Sequence, residues 1–338
     1  MAHNKGGGDR SVAARRRRGL VVGVVLLVAL ALGLAGLWVR LAPRTAVPPG
    51  QSRPATHAEL DRFLARESND LGLPGIAVTV LKEGVPDYRG FVGRTASGRA
   101  VDGSTPFVLG STSKQLTGLA VQRLVSDGRL SLDALVGGIL PGFTGGDKGQ
   151  VRVQDLLAQT SGFSTTSGVR QWGWRPDSPR SIQDAAAQLA TEGLDRAPGG
   201  SFEYSNANYD VLGAVVEKVS GRPYADALQD LVLGPLALTH TTAAPGAAGE
   251  PEGFSTWFGL VTVPTPAPAT PGGVPSAFVT STADDLAALV QAHLGTRPSS
   301  LPPAVLDASR RPLVRVSEYA QYASGWFVRP LWEEHPLD

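Results

Sequence analysis

The chain has 338 residues, 42% of them hydrophobic, which is enough for one large domain or two small ones. It contains no cysteine, so disulfide bonds, thiolate catalysis and cysteine-ligated zinc are excluded. The net charge of +1 conceals an asymmetry, because eight of the 31 basic residues lie in residues 1–45 beside the single acid Asp9. The rest of the chain is therefore net acidic, and we expect no nucleic-acid partner.

The first long apolar segment is residues 19–39, a run of 21 uncharged residues directly after Arg15–Arg18. At about 1.5 Å per residue it is long enough to cross a hydrocarbon core of about 30 Å. The arginines predict a cytoplasmic N-terminus, so we expect a single-pass cell-membrane anchor followed by an extracytoplasmic domain. The alternative is a cleaved secretory signal, for which Ala29–Ala31 supplies a small-x-small pattern inside the apolar run.

The composition of the chain predicts four parts. Residues 1–18 form a basic cytoplasmic tail, residues 19–39 the transmembrane anchor, and residues 40–56 a Pro-rich linker. Residues 57–338 form the globular domain. Hairpin, helical middle and late strand, in that order along this domain, predict an α+β fold.

The predicted elements of the globular domain follow from hydrophobic spacing and from turn residues. The first are a helix carrying Leu60, Phe63, Leu64 and Leu71, and a hairpin of strands 76–80 and 88–92 with a turn over 83–87. The middle elements are a helix from Ser111 to about Ser126, ended by Asp127-Gly128, and helices over 153–157, 182–189, 209–219 and 224–233. The last are a long Pro/Gly-rich loop over 241–280, a helix capped at 281–285 and running to His293, and a strand over 322–328.

The segment Ser111-Thr112-Ser113-Lys114 is an S-x-x-K tetrad at the start of an apolar-periodic helix. A serine hydroxyl is a poor nucleophile at neutral pH and needs a neighbouring base. Positions three apart share a helix face, and the first turn also offers unpaired N–H groups and the positive end of the dipole. The tetrad therefore predicts a nucleophile, an amine beside it and a cradle for an oxyanion. Taken alone, the tetrad is weak evidence, and a helix start with a solvated lysine is the favoured interpretation.

Three further segments follow the tetrad in a recognisable order. Together the four segments are Phe107–Lys114, Leu156–Phe163, Tyr204–Asn206, and Gly272-Gly273 followed by Ser281–Leu286. In these segments the chain resembles the serine β-lactamase and penicillin-binding-protein superfamily, most closely class C β-lactamases and related DD-peptidases and esterases. The resemblance covers roughly residues 57–330. It implies a β-lactamase/transpeptidase-like fold, in which an antiparallel sheet is flanked by a mostly helical subdomain.

The resemblance also implies roles for four residues. Ser111 attacks an acyl carbonyl, and Lys114, partly desolvated, accepts or relays the proton. Tyr204 passes the proton to the leaving group, and a phenol with a pKa of about 10 needs a nearby cation such as Lys114 to act as a base. Asn206 binds a substrate amide. The alternative makes Tyr204 a core-edge aromatic and Asn206 the N-cap of the following helix.

The third motif that the resemblance implies, Lys-Thr-Gly or His-x-Gly, is expected on a strand soon after Gly325–Val328. The sequence contains no Lys-Thr-Gly and ends at Asp338. His293-Leu294-Gly295 fits His-x-Gly, but it lies at the end of a predicted helix with Gly295 in the C-cap region. We therefore expect a C-terminally truncated member of the family that lacks the C-terminal strands.

Two functions follow from this interpretation. The first is a membrane-anchored, extracytoplasmic serine hydrolase that acts through an acyl-enzyme on D-amino-acid peptides, β-lactams or esters. The alternative is a catalytically impaired or inactive relative that binds cell-wall peptides or a partner protein. The sequence carries no metal cluster, phosphate loop or dinucleotide fingerprint, so we expect no metal and no cofactor. It makes no prediction of oligomeric state.

Overall fold

The protein is described by a computed structural model, which covers residues 56–170, 179–244, 252–257, 261–266 and 270–329. The predicted tail (1–18) and anchor (19–39), and the linker up to residue 55, lie outside this part of the chain. Among the described residues, no helix combines the length and apolar character that a membrane crossing needs.

Helices dominate the middle of the chain, and strands lie towards its two ends. The helices are α1 His57–Leu71, α2 Ser113–Ser126, α3 Val153–Leu157, α4 Thr165–Arg170, α5 Ile182–Thr191, α6 Asn206–Ser220, α7 Tyr224–Leu228, α8 Ala283–Leu294 and α9 Pro303–Arg310. The strands are β1 Gly75–Lys82, β2 Val85–Gly93, β3 Phe107–Val108, β4 Glu252–Trp257, β5 Val261–Pro266, β6 Thr280–Ser281, β7 Val314–Ser317, β8 Ala320–Tyr322 and β9 Phe327–Val328. The α+β class is therefore confirmed.

The described strands pair antiparallel, as expected, but they form four small sheets instead of one. These sheets are β1–β2, β3–β6, β4–β5 and β7–β8–β9. Helix α1 packs on β2 and helix α8 packs on β1, so the N-terminal hairpin is covered by helices that are distant in sequence. The short pair β3–β6 joins the segment before α2 to the segment before α8.

The core is built around α2 and α6. Leu116, Leu119, Ala120 and Leu124, which the sequence places on the inner face of α2, are all at most 1% exposed. Residues 206–216 of α6 are buried on every side, because α2, α3, α4, α5 and α7 all pack against this helix. A helix enclosed in this way is mostly apolar, and α6 is built mainly of small and aliphatic residues, with buried polar side chains at Asn206, Asn208 and Asp210. The first turns of α2 and α6 meet inside the molecule, where Lys114 Nζ donates to Asn206 Oδ1 at 2.6 Å.

Several predicted boundaries move by a few residues. Ser111 lies in a 3₁₀ turn, Gly110–Thr112, and the α-helix itself starts at Ser113. Helix α6 starts earlier than predicted, with Ser205 and not Asn206 at the N-cap. The turn of the N-terminal hairpin is shorter than 83–87, and the predicted helix over 224–233 changes to a π-helical turn after Leu228.

The prediction of a long loop over 241–280 is wrong, because β4 and β5 form a hairpin within it. The high proline content argued against strands. However, Pro264 and Pro266 are two residues apart, so their nitrogens lie on the same edge of β5. In a two-stranded sheet that edge can face away from the partner strand, and no ladder hydrogen bond is then lost.

The predicted strand over 322–328 is also wrong as a single element. The chain turns at Ser324-Gly325, where Gly325 has a φ of +89°, and Ala323 N donates to the Trp326 carbonyl at 2.8 Å. The segment therefore divides into β8 and β9, with β7 added before them. Gly325 supplies a left-handed conformation that other residues rarely adopt.

Candidate active site

The predicted nucleophile Ser111 is exposed at the head of α2. Gly110, with a φ of +54°, lets the chain turn immediately before it. The turn is anchored from both sides by Val279, whose carbonyl accepts from Leu109 N at 2.9 Å and whose N–H donates to Ser113 Oγ at 3.1 Å. The serine hydroxyl is therefore presented to solvent by a backbone that is fixed to the segment preceding β6.

The side chain of Lys114 lies beneath Ser111 and is only 1% exposed. Its Nζ donates to Asn206 Oδ1 at 2.6 Å, to the Ser276 carbonyl at 2.8 Å and to Ser111 Oγ at 3.3 Å. It also lies over the ring of Tyr204, 4.9 Å from the centroid. All three hydrogens of an ammonium group thus have acceptors, although the group is almost completely removed from water.

Burial lowers the pKa of Lys114 to about 8, while the charge of Asp210 acts to raise it. A neutral amine keeps two hydrogens, and the two shorter bonds, to Asn206 and to Ser276, are the ones that can hold them. Its lone pair then points to Ser111 Oγ. The site can therefore take a proton from the serine hydroxyl at a pH close to neutral.

Tyr204 lies next to both Ser111 and Lys114, with its hydroxyl within hydrogen-bonding reach of the serine. Its ring stacks on Phe327, with centroids 6.3 Å apart and an angle of 18°, and meets Tyr322 edge to face. Burial raises the pKa of Tyr204, and the hydrogen bond with Ser111 opposes this only in part. The expected cation is present, since Lys114 Nζ lies 4.9 Å from the ring centroid of Tyr204. Burial nevertheless keeps the hydroxyl protonated at neutral pH, which suits a proton donor.

Asn206 is the first residue of α6 and is 9% exposed. Gln159 positions this end of the helix, because its Oε1 accepts from Ser205 N at 3.0 Å and also from the amide of Asn208. The side-chain oxygen of Asn206, Oδ1, accepts from Lys114. The side-chain NH₂ group of Asn206 is therefore the part that can face a substrate. The alternative role as N-cap does not hold, since Ser205 occupies that position.

The structure thus brings the four predicted site residues, Ser111, Lys114, Tyr204 and Asn206, into one cluster. It adds contributors that the sequence did not indicate. Ser276 acts through a backbone carbonyl, which carries no sequence signal. Gln159 has a left-handed φ of +61° that only the structure reveals, and Phe327 comes from a strand far along the chain.

His293 does not join this cluster. It lies in the last turn of α8, is 8% exposed, and its ring packs edge to face on Trp326 at 5.0 Å. Gly295 ends the helix with a φ of +72°, as expected for a C-cap glycine. Burial lowers the pKa of His293 to about 4, so the imidazole is neutral under ordinary conditions.

Comparison with known proteins places this geometry in a family. The family model described as Beta-lactamase matches residues 60–335. Esterase EstB of Burkholderia gladioli is 32% identical over 301 residues, which cover 75% of this chain and 74% of the esterase. Protein flp of Staphylococcus aureus strain MW2 is 30% identical over 189 residues, or 54% of this chain. The chain spans only 38% of the length of protein flp.

The fold is also found among solved structures. A penicillin-binding protein homologue from Pyrococcus abyssi superposes with a TM-score of 0.73 at 22% sequence identity. The superposition covers 81% of this chain and 65% of that one. The expected β-lactamase/transpeptidase-like architecture is therefore confirmed for the part of the chain that the structure describes.

Proposed function

Because the chain belongs to the beta-lactamase family of serine hydrolases, we propose that it hydrolyses an acyl substrate through a covalent intermediate on Ser111. One observation carries the proposal. Lys114 Nζ is buried, lies 3.3 Å from Ser111 Oγ, and is held from behind by Asn206 and the Ser276 carbonyl. A buried amine aimed at an exposed serine is the arrangement that nucleophilic activation needs.

In the proposed mechanism, neutral Lys114 takes the hydroxyl proton of Ser111 while Oγ bonds to the acyl carbon. Tyr204, kept protonated by burial, donates its proton to the leaving group as the bond to that group breaks. The NH₂ group of Asn206 faces the substrate beside the acyl group. Water then attacks the acyl carbon and gives one proton to the tyrosinate of Tyr204. Ser111 Oγ recovers a proton from the ammonium of Lys114 as the ester bond breaks, so the acid is released and the resting site is restored.

For the substrate, we propose a carboxylic ester in preference to a β-lactam or a D-amino-acid peptide. The support is the 32% identity to an esterase over three quarters of this chain. An activated ester also needs less help at the leaving group than an amide does. The second candidate function, a binder of cell-wall peptides without turnover, retains the fold and the cluster but performs no chemistry.

The test is steady-state hydrolysis of three substrates by the full chain: a p-nitrophenyl ester, a peptide ending in D-Ala-D-Ala, and a chromogenic β-lactam. We expect ester turnover that S111A abolishes and that S104A, a change at an exposed serine outside the cluster, leaves intact. Turnover of the peptide or the β-lactam with none of the ester would replace the proposed substrate. Binding of the peptide by folded protein with no turnover of any substrate would favour the binder.

We further propose the predicted domain arrangement, with residues 19–39 as a single-pass anchor, residues 1–18 in the cytoplasm and the hydrolase domain outside it. The support is the uncharged run of 21 residues and the four arginines that precede it. The Pro-rich residues 40–56 then act as a spacer between membrane and domain.

Membrane fractionation of cells that express the full chain tests this arrangement. We expect the protein to stay with membranes in alkaline carbonate and to be released by detergent, with its C-terminal end accessible to protease only from outside. Replacing Leu26 and Leu27 by arginine is expected to release it, because each central arginine costs about 3 kcal/mol of insertion. If the protein without these arginine substitutions is recovered in the carbonate-soluble fraction, the anchor is contradicted and a cleaved signal is supported.

A further inference from the structure

We propose that Asp210, which no motif assigns, is a positioning residue: its buried carboxylate is the counterion of Lys114 and sets the pH at which Ser111 becomes reactive. This inference rests on the proposed acyl-enzyme function, because it concerns the base of that reaction. In this proposal Asp210 acts on Ser111 through Lys114, so it is a positioning residue and not a catalytic one.

The first support is the position of Asp210 on α6. It lies one helical turn after Asn206, and residues four apart share a helix face. Asn206 binds Lys114 Nζ at 2.6 Å. Three residues after Asp210, on the same face of the helix, is Gly213, where an added Cβ would lie only 2.2 Å from Pro275 Cγ. The face that carries Asp210 therefore packs against residues 274–278, which include the Ser276 carbonyl that binds the ammonium.

The second support is burial. Asp210 is 0% exposed and Lys114 is 1% exposed. The hydrogen-bond acceptors of Lys114 are all neutral oxygens, those of Ser111, Asn206 and Ser276. Burying a charge is costly unless an opposite charge compensates it, and removing one partner of such a pair leaves the other uncompensated. A carboxylate in the same enclosed volume provides that compensation.

The third support is the set of titratable groups around Asp210. Lys114 faces it from α2, Tyr224 faces it from α7, and Tyr209 and Glu217 belong to α6 itself. The charge of Asp210 acts to raise the pKa of Lys114 and also that of Tyr224. Asp155 of α3 is bound at its own helix N-terminus and Asp184 of α5 is exposed. The described side chains of α4 and of residues 274–278 include no titratable group.

The sign of the effect follows from these charges. The negative charge of Asp210 favours the ammonium form of Lys114, whereas burial disfavours it. Removing the charge while keeping the shape must therefore lower the pKa of Lys114. If neutral Lys114 is the base, the rise of the acylation rate with pH then moves to more acidic values. A residue with a merely structural role would lower the rate without moving this rise.

The experiment measures the rate of covalent labelling of Ser111 by a fluorophosphonate between pH 5 and pH 10, each profile scaled to its own plateau. For D210N we expect the midpoint to fall by about one pH unit or more relative to the unchanged chain. D210E, which keeps the charge, is expected to return the midpoint towards the original value. A midpoint of D210N that is unchanged, or displaced to higher pH, overturns the proposal.

A matched control is D155N, at a second buried aspartate, whose carboxylate accepts from Arg152 N at 2.8 Å at the start of α3. It is expected to lower stability and leave the midpoint in place, and an equal shift in D155N would overturn the assignment to Asp210. If the wild-type protein is not labelled at all, the proposed acyl-enzyme function itself is contradicted. That outcome is distinct from a failure of the Asp210 proposal, which is seen only in the variants.

Stability measurements decide the matter if D210N folds poorly. Urea unfolding of K114M, D210N and the double variant K114M/D210N gives a double-mutant cycle. We expect the double variant to be at least as stable as K114M, because each single change leaves one charge buried without its partner. If the urea midpoint of the double variant falls by the sum of the two single losses, the two residues are not coupled, and the counterion role is contradicted.

Discussion

At the scale of single residues, the chemistry of the site depends on the protonation of one buried lysine. Burial lowers the pKa of Lys114 to about 8, so the amine and ammonium forms coexist near neutral pH. The ammonium form donates a hydrogen to Ser111 and cannot accept one. The amine form can accept the serine proton, so the reactivity of Ser111 follows the deprotonation of Lys114.

The first prediction concerns the pH dependence of acylation. The rate at which an activated ester acylates Ser111 should rise about tenfold per pH unit below the pKa of Lys114 and level off above about pH 8. The variant K114M, similar in length but without an amine, should lose this rise and react about 10²–10⁴-fold more slowly at pH 9. Stopped-flow measurement of the acylation burst checks both. A flat profile in the unchanged chain would contradict a lysine base.

The second prediction concerns the hydroxyl of Tyr204. Y204F removes the proton donor but keeps the stacking on Phe327 and the contact of the ring with Lys114. We expect acylation by the ester to slow about 10²-fold or more while the urea midpoint stays nearly the same. The exposed Tyr319 gives a matched control in Y319F. Equal rates for Y204F and Y319F would leave Tyr204 as packing alone.

The sequence was sufficient to name four polar residues of the site that lie in recognisable motifs. Ser111, Lys114, Tyr204 and Asn206 are polar residues in ordered motifs, and the structure brings them together. It could not indicate Ser276, because any residue type can offer a carbonyl. It also gave no reason to single out Asp210, because an aspartate inside a helical pattern is ordinarily read as solvent-facing.

At the scale of elements, the close approach of the β8–β9 turn to α2 holds the lysine in place. Gly325 has a φ of +89°, and an added Cβ would lie 2.6 Å from the carbonyl carbon of Lys114 and from Gln115 N. These are backbone atoms of a buried helix, so they cannot move aside cheaply. The absence of a side chain at residue 325 is therefore a condition for the position of Lys114.

The third prediction compares two glycines with nearly the same backbone angle. Gly98 has a φ of +87° with nothing near its missing Cβ, so G98A should cost only the conformational penalty of about 1 kcal/mol. G325A carries the same penalty plus the clash with α2, and should cost about 2 kcal/mol more in urea unfolding. It should also slow the acylation of Ser111. Equal losses for the two variants would show that α2 yields to the added methyl group.

Sequence patterns predicted helices better than strands. The 3.6-residue spacing gave α1, α2, α3, α5 and α8 nearly as the structure has them, because each helix presents one regular apolar stripe. The strands β4 and β5 were hidden by prolines that an open sheet edge tolerates. The strands β8 and β9 were merged, because the sharp turn at Gly325 depends on packing against a helix more than 200 residues earlier.

At the scale of the whole molecule, the site and the core share the same two helices. The first turns of α2 and α6 supply Lys114 and Asn206, and the following turns supply the most deeply buried apolar side chains. The sequence predicted the α+β class and the helical middle. It did not predict that the described strands divide into four small sheets, because strand pairing is set by contacts between distant segments.

The fourth prediction concerns this shared framework. Leu119, in the middle of α2, is 0% exposed, and L119A should reduce the free energy of unfolding by about 2–5 kcal/mol. Leu294, at the exposed end of α8, is 55% exposed, and L294A should change it by less than about 1 kcal/mol. Urea titration with circular dichroism checks both. Ser111 labelling should be lost at the same urea concentration as helicity, and earlier loss would contradict a shared framework.

The central claim is that the hydroxyl of Ser111 becomes covalently acylated because Lys114 activates it. The most direct measurement is mass spectrometry of the full chain after brief reaction with an ester or a fluorophosphonate at pH 8.5, followed by peptide mapping. The account predicts one acyl or phosphonyl group, located on Ser111, that is absent from S111A, strongly reduced in K114M and unchanged in S104A. A folded chain that acquires no adduct, or acquires it at another residue with S111A fully reactive, would contradict it.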